Sequence, residues 1–81
     1  MGSKLKVLSG QDLTKIFSNF GFNVIAQKGS HMKLRRVILG NNENLIIQNS
    51  KEIPTGTLKS IFNQASKYVS KEELYKYFYN K

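Results

Sequence analysis

The apolar positions change their period twice along the chain, and each change marks a new kind of element. Leu13, Ile16, Phe17 and Phe20 stand at i, i+3, i+4 and i+7, the stripe of an amphipathic helix turned toward a core. Ser9 precedes the stripe as an N-cap with Asp12 three residues on, the spacing of a capping box. Gly21 is placed to end the helix in the left-handed conformation, so the pattern predicts a first helix over 10–20. From Phe22 the period falls to two. Phe22, Val24 and Ala26 alternate with Asn23, Ile25 and Gln27 and predict a strand. Lys28-Gly29-Ser30 reads as a turn and 31–39 as a second strand, with Met32, Leu34 and Ile38 on one face and His31, Lys33 and Arg35 on the other. Gly40-Asn41-Asn42-Glu43-Asn44 is rich in turn formers and reads as a loop. Leu45-Ile46-Ile47-Gln48-Asn49 follows as a short third strand.

Beyond Pro54 the helical period returns. Thr55 is placed as a cap, and Leu58, Ile61, Phe62 and Ala65 form the buried stripe. Ser70 with Glu73 three residues on reads as a capping box for a last helix, in which Leu74 and Phe78 read as core. Tyr75, Tyr77 and Tyr79, with Lys71, Lys76 and Lys81, are left for surface or interface. The order α-β-β-β-α-α predicts an α+β fold: a three-stranded antiparallel sheet with helices on one face and the other face solvated. On that reading His31, Lys33 and Arg35 share the solvated face.

Eighty-one residues make one small domain, taken as 1–81 with 70–81 an additional C-terminal helix. Met1-Gly2-Ser3 has the composition of a vector-derived leader and is left out of the fold reading. With 40% apolar residues the chain can pack without staples, and with no cysteine it has neither disulfides nor a thiolate metal site. No apolar run approaches the roughly 20 residues of a membrane span. The start is too short and polar for a signal peptide, so a cytoplasmic protein is expected.

Charge sharpens the picture. Thirteen basic residues stand against five acidic ones. No acid lies between Asp12 and Glu43, a window that holds Lys15, Lys28, Lys33, Arg35 and Arg36. A net charge of +8 bears on partners rather than on fold, and the candidates are nucleic acid, an anionic membrane surface or an acidic protein. The same window holds His31, the only histidine. Histidine titrates nearest neutral pH, at roughly 6.5. Beside cationic groups a lone imidazole can move a proton next to a bound phosphate, the outline of a ribonuclease that needs no metal. Taken alone, one histidine at a strand start is more simply a surface residue, and Lys28, Lys33 and Arg35 a solvated sheet face. Other chemistries fit less well. The five scattered acids do not supply a two-metal site, no phosphate loop of the P-loop type is present, and Ser30 and His31 point apart as strand neighbours.

Leu8-Ser9-Gly10, Gly21-Phe22, Gln27-Lys28-Gly29-Ser30-His31 and Gly56-Thr57-Leu58-Lys59-Ser60-Ile61, in that order and spacing, resemble the HicA-like toxins. These are small messenger-RNA interferases of toxin–antitoxin pairs. The resemblance covers nearly the whole chain. It implies a double-stranded-RNA-binding-like fold, a catalytic role for the histidine of the Lys-Gly-Ser-His block, here His31, and a HicB-like antitoxin that covers the site. Met32 stands where many members carry a second histidine, and the third strand has none. The expectation is therefore an endoribonuclease acting on mRNA, with His31 as general acid or base and Lys28 in support. Lys28, Gly29, Ser30, Lys33 and Arg35 are the expected RNA contacts, with neither metal nor cofactor. Two other classes remain open: a non-catalytic RNA-binding module and a basic protein-interaction domain.

Overall fold

The computed structural model describes residues 4–80. Its elements are β1 (Lys4–Leu5), α1 (Gly10–Ser18), β2 (Asn23–Lys28), β3 (His31–Ile38), β4 (Asn41–Gln48), α2 (Thr55–Ala65), α3 (Lys71–Phe78) and β5 (Tyr79–Asn80). β2, β3 and β4 form an antiparallel meander, as the alternation predicts. The vector-like residues 1–3 and Lys81 lie outside the described residues.

The helix signals act as read. Ser9 Oγ accepts from the Asp12 N–H at 3.0 Å, and the Asp12 carboxylate accepts from the Ser9 N–H at 3.0 Å, closing the capping box. Gly21 has φ +93° and turns the chain out of α1. Ser70 Oγ accepts from the Glu73 N–H at 3.2 Å and starts α3, but the capping box expected there is half formed: the Glu73 carboxylate meets Lys76 at 3.3 Å instead of returning to the Ser70 N–H. Thr55, read as a cap, is instead the first residue of α2. Pro54 occupies the cap position, where its fixed φ suits a helix start.

The core lies between the helices and one face of the sheet. Leu13, Phe17, Leu34, Leu45, Leu74 and Phe78 are fully inaccessible. Phe17 meets Phe22 and Phe78 at 6.0 Å between ring centroids. Met32 and Leu34 from β3, and Leu45 and Ile47 from β4, supply the sheet's contribution.

Three readings need correction. The five-residue loop is absent. β3 and β4 continue to the pair Ile38–Asn41 and are joined by Leu39-Gly40 alone. Both residues have positive φ, 51° and 82°, the requirement of a type I′ hairpin turn. Ile38, assigned to the buried face, consequently lies on an extension of the hairpin and is exposed. Similarly, Lys28 belongs to β2, and only Gly29-Ser30 form the first turn.

The second correction concerns β2. A bulge between Val24 and Ala26 breaks its alternation: Val24 pairs with Leu34, whose side chain is in the core, while Ala26 pairs with Lys33 on the opposite face. All six β2 residues are exposed; Phe22, which is buried, precedes the strand. Third, β1 and β5 pair Lys4 with Asn80 and Leu5 with Tyr79, a small ribbon that the sequence pattern did not predict. The Lys6 N–H extends it by donating to the Phe78 carbonyl at 2.7 Å.

The two edges of the main sheet differ. On β4 the Ile46 N–H donates to Gln64 Oε1 at 2.9 Å, and Gln64 Nε2 donates to the Ile46 carbonyl at 3.3 Å. One amide from α2 thus satisfies both backbone groups of that edge residue. β2 has β3 on one side and no strand on the other among the described residues.

Candidate functional site

Gly29 adopts φ +59° at the first position of the β2–β3 turn, the place where a type II′ turn requires glycine. A Cβ on Gly29 would meet no atom within 4 Å, so the turn faces open space. Closing the hairpin over Gly29-Ser30 puts Lys28 directly across from His31. Cross-strand partners share a face with Cβ atoms roughly 4.5–5.5 Å apart. The Ser30 carbonyl accepts from the Asn49 N–H at 2.6 Å, tying this turn to the end of β4.

On the far side of β3 the partner of His31 is Gln48. The exposed end of the sheet therefore presents Lys28, His31 and Gln48 in one row. The next row on that face is Ala26, Lys33 and Ile46, and beyond it stand Arg35 and Asn44. The six residues expected to form the site are thus brought to one hairpin and one sheet face. They are not equally free. His31, Lys28, Gly29 and Ser30 are exposed, while Lys33 and Arg35 are half-buried, and Arg35 Nε donates to Asn44 Oδ1 at 2.8 Å. Arg35 is consequently pre-oriented, with the rest of its guanidinium available as a donor fork.

Arg36, the remaining cation of the acid-free strand segment, belongs elsewhere. Its side chain turns to the helix face. Nε and Nη2 meet the Glu43 carboxylate at 2.7 and 2.6 Å. Nη1 donates to the Phe20 carbonyl at 2.9 Å and Nη2 to the Tyr68 carbonyl at 3.0 Å. The guanidinium also lies 4.8 Å over the Phe22 ring. This residue fastens the hairpin to the end of α1 and to the α2–α3 link, and it adds no free charge to the His31 face.

The start of α1 supports the site from below. The Gly10 N–H donates to the Ser50 carbonyl at 2.8 Å, and Gln11 Nε2 donates to Asn49 Oδ1 at 3.2 Å. A Cβ on Gly10 would lie 2.5 Å from the Gln48 carbonyl oxygen and 2.6 Å from Asn49 Cα. Only glycine lets the helix approach the strand end that faces His31. Gln48 is itself held, since its Nε2 donates to Ser50 Oγ at 2.6 Å. Gln48 and Gly10 are the site residues that sequence reasoning missed. Counting back from a Leu39-Gly40 turn would have paired Gln48 with His31, but leucine is not a residue that signals such a turn. For Gly10, composition gives no sign of a close approach made across the fold.

Among the described residues no three of His, Asp and Glu come together as metal ligands, and no helix is long and apolar enough to cross a membrane. The arrangement offers one imidazole, two lysines and one arginine tethered to Asn44 on an open surface, a set suited to a phosphodiester. No curated protein and no solved structure gives a significant match to the chain. The family model of the HicA toxin of bacterial toxin–antitoxin systems matches residues 10–66, from the first residue of α1 to just past the end of α2. That span holds the meander, the hairpin with His31 and both flanking helices, well over half of the sequence, and the chain belongs to the HicA toxin family.

Proposed function

We propose that this toxin is an endoribonuclease that cuts messenger RNA in the cytoplasm without a metal ion, with His31 moving the proton. The observation that carries the reading is the pairing of the sole histidine with Lys28 across an open hairpin. In the proposed reaction a ribose 2′-oxygen attacks the adjacent phosphorus, and the bond to the 5′-oxygen breaks. The products are a 2′,3′-cyclic phosphate and a 5′-hydroxyl. His31 takes the 2′-OH proton as general base or supplies one to the leaving oxygen, a contribution on the order of 10²–10⁴-fold. Negative charge grows on the phosphoryl oxygens. The Lys28 ammonium beside His31 is placed to stabilise it, while Lys33 and Arg35 hold the strand farther along the face. The bare turn at Gly29-Ser30 leaves room for the backbone of the RNA.

A toxin of this family has an antitoxin as its partner. For a chain at +8, an acidic HicB-like surface laid over Lys28 and His31 would silence the site by occlusion, with complementary charge speeding its docking. The test compares wild type and His31→Ala on RNA in excess chelator. Wild type should yield cyclic-phosphate ends and spare DNA of the same sequence. His31→Ala, with unchanged circular dichroism, should fall by at least about 100-fold. Undiminished cutting by the folded variant overturns the assignment. Binding of RNA without cutting by wild type would favour the non-catalytic RNA-binding module.

A further inference from the structure

A second region combines positive charge with exposed aromatic surface, and it owes nothing to β2, β3 or β4. α3 and the β1–β5 ribbon border an open cavity of about 740 Å³. Among the described residues its lining includes Lys6, Lys71, Lys76, Tyr75 and Tyr79, with Glu72 the one carboxylate side chain. Every one of these residues lies outside the 10–66 span of the family match.

The two tyrosines are stacked, with centroids 4.2 Å apart and planes 11° from parallel. Tyr79 is anchored in turn. It meets Phe62 edge-on at 5.8 Å, and Phe62 meets the buried Phe78 at 5.3 Å. The rings thus run outward from the core and end at Tyr75, which is 44% exposed. Because Tyr79 covers one face of the Tyr75 ring, the exposure falls on its outer side. A ring braced in this way is ordered before any ligand arrives, so stacking on it carries little entropic cost.

Charge selects the occupant. Among the described residues, the lining sets three lysine side chains against one carboxylate side chain. Lys76 is shared with Glu73 at 3.3 Å, which leaves Lys6 and Lys71 as the cations to meet a ligand. An apolar peptide would leave those ammonium groups unpaired, and an acidic peptide would make no particular use of a flat stacked ring. A nucleobase with flanking phosphates uses both features, the combination found where proteins hold single strands.

We propose that this cavity is an accessory subsite for single-stranded RNA. One base stacks on the outer face of Tyr75, and Lys6 and Lys71 take the neighbouring phosphates. The proposal deepens the reading of the chain as an RNA-cutting toxin and rests on it. It gives the C-terminal helix the task of holding substrate away from the cleavage point.

The experiment uses the full chain in the His31→Ala background, so that the RNA survives, with a fluorescent unstructured oligoribonucleotide as probe. Tyr75→Ala should weaken binding roughly 5- to 150-fold, while Tyr75→Phe, which keeps the ring, should stay within about 2-fold. Lys6→Gln with Lys71→Gln should weaken binding and flatten its dependence on log salt by about 0.7 per lysine. Since Tyr75 is outside the core, thermal melting should confirm that Tyr75→Ala is folded. Parent-like affinity in both Tyr75→Ala and the lysine pair overturns the subsite. So does an effect of these substitutions confined to antitoxin binding. If wild type fails to cut RNA while Tyr75→Ala still weakens binding, the nuclease reading falls and the subsite stands. If wild type cuts normally while Tyr75→Ala and the lysine pair both leave affinity unchanged, the subsite falls and the nuclease stands.

Discussion

Arg35 and Arg36 are adjacent on one strand and identical in chemistry, yet they serve different halves of the molecule. Arg35 lies on the open face, where its Nε donates to Asn44 Oδ1. Arg36 lies on the helix face, where it meets a carboxylate, two backbone carbonyls and an aromatic ring. The same division runs along β3, with Met32 and Leu34 in the core and His31 and Lys33 turned away from it. The pleat therefore separates packed side chains from open ones residue by residue. A local run of positive charge cannot be read as a binding patch until its faces are sorted.

Truncating each arginine should separate the two roles most sharply. Arg36→Ala strands the Glu43 carboxylate and the Phe20 and Tyr68 carbonyls in a half-buried setting. It should cost about 2 kcal/mol, since hydrogen bonds to charged groups contribute roughly 1.5–3 kcal/mol. Arg35→Ala should change stability by no more than about 0.5 kcal/mol, as for other surface substitutions, and should act on RNA affinity instead. Urea denaturation of the two variants checks the contrast, and equal losses would dissolve it.

A smaller effect sharpens the open face. Lys33 stands between Ala26 and Ile46, so its stem lies on apolar neighbours while its ammonium reaches outward. Lys33→Ala should weaken binding evenly across unrelated RNA sequences and reduce the salt slope by about 0.7. Titrations at several salt concentrations would show it, and a loss confined to one sequence would mean base recognition instead.

The smallest effect belongs to the capping box. The Ser9 backbone N–H, and then its hydroxyl, hold the Asp12 carboxyl below its ordinary value of 3.8. The folded pKa is thus lower than the unfolded one. Its contribution to stability is complete above the ordinary value and is lost as pH falls through the folded pKa. The melting temperature of wild type should exceed that of Asp12→Ala slightly at neutral pH, and the gap should close in strong acid. A gap that persists at the lowest pH would assign the effect to something other than the charged cap.

Period and capping were enough to order the main elements and to place His31, Lys33 and Arg35 on the solvated side, because both signals are local. What escaped depends on pairing across the chain. Leu39 takes a left-handed conformation that nothing in its side chain announces, so the register that sets Gln48 beside His31 was hidden. The bulge after Val24 defeats a strict alternation, and the contact of Lys4 and Leu5 with Tyr79 and Asn80 needs the whole fold to bring its ends together. Gly10 looks like any helix start until the strand that crosses it is in place.

Gln64 gives the sheet a property that polymer chemistry would call valence. By occupying both backbone groups of Ile46, it interrupts the β4 edge partway along its length, whereas β2 carries no such interruption among the described residues. The two ends of the sheet therefore differ in reactivity toward a further strand. Two copies meeting edge to edge would pair more readily through β2 than through β4. Growth by repeated edge addition would have to use the interrupted edge at every second step, which works against a fibre.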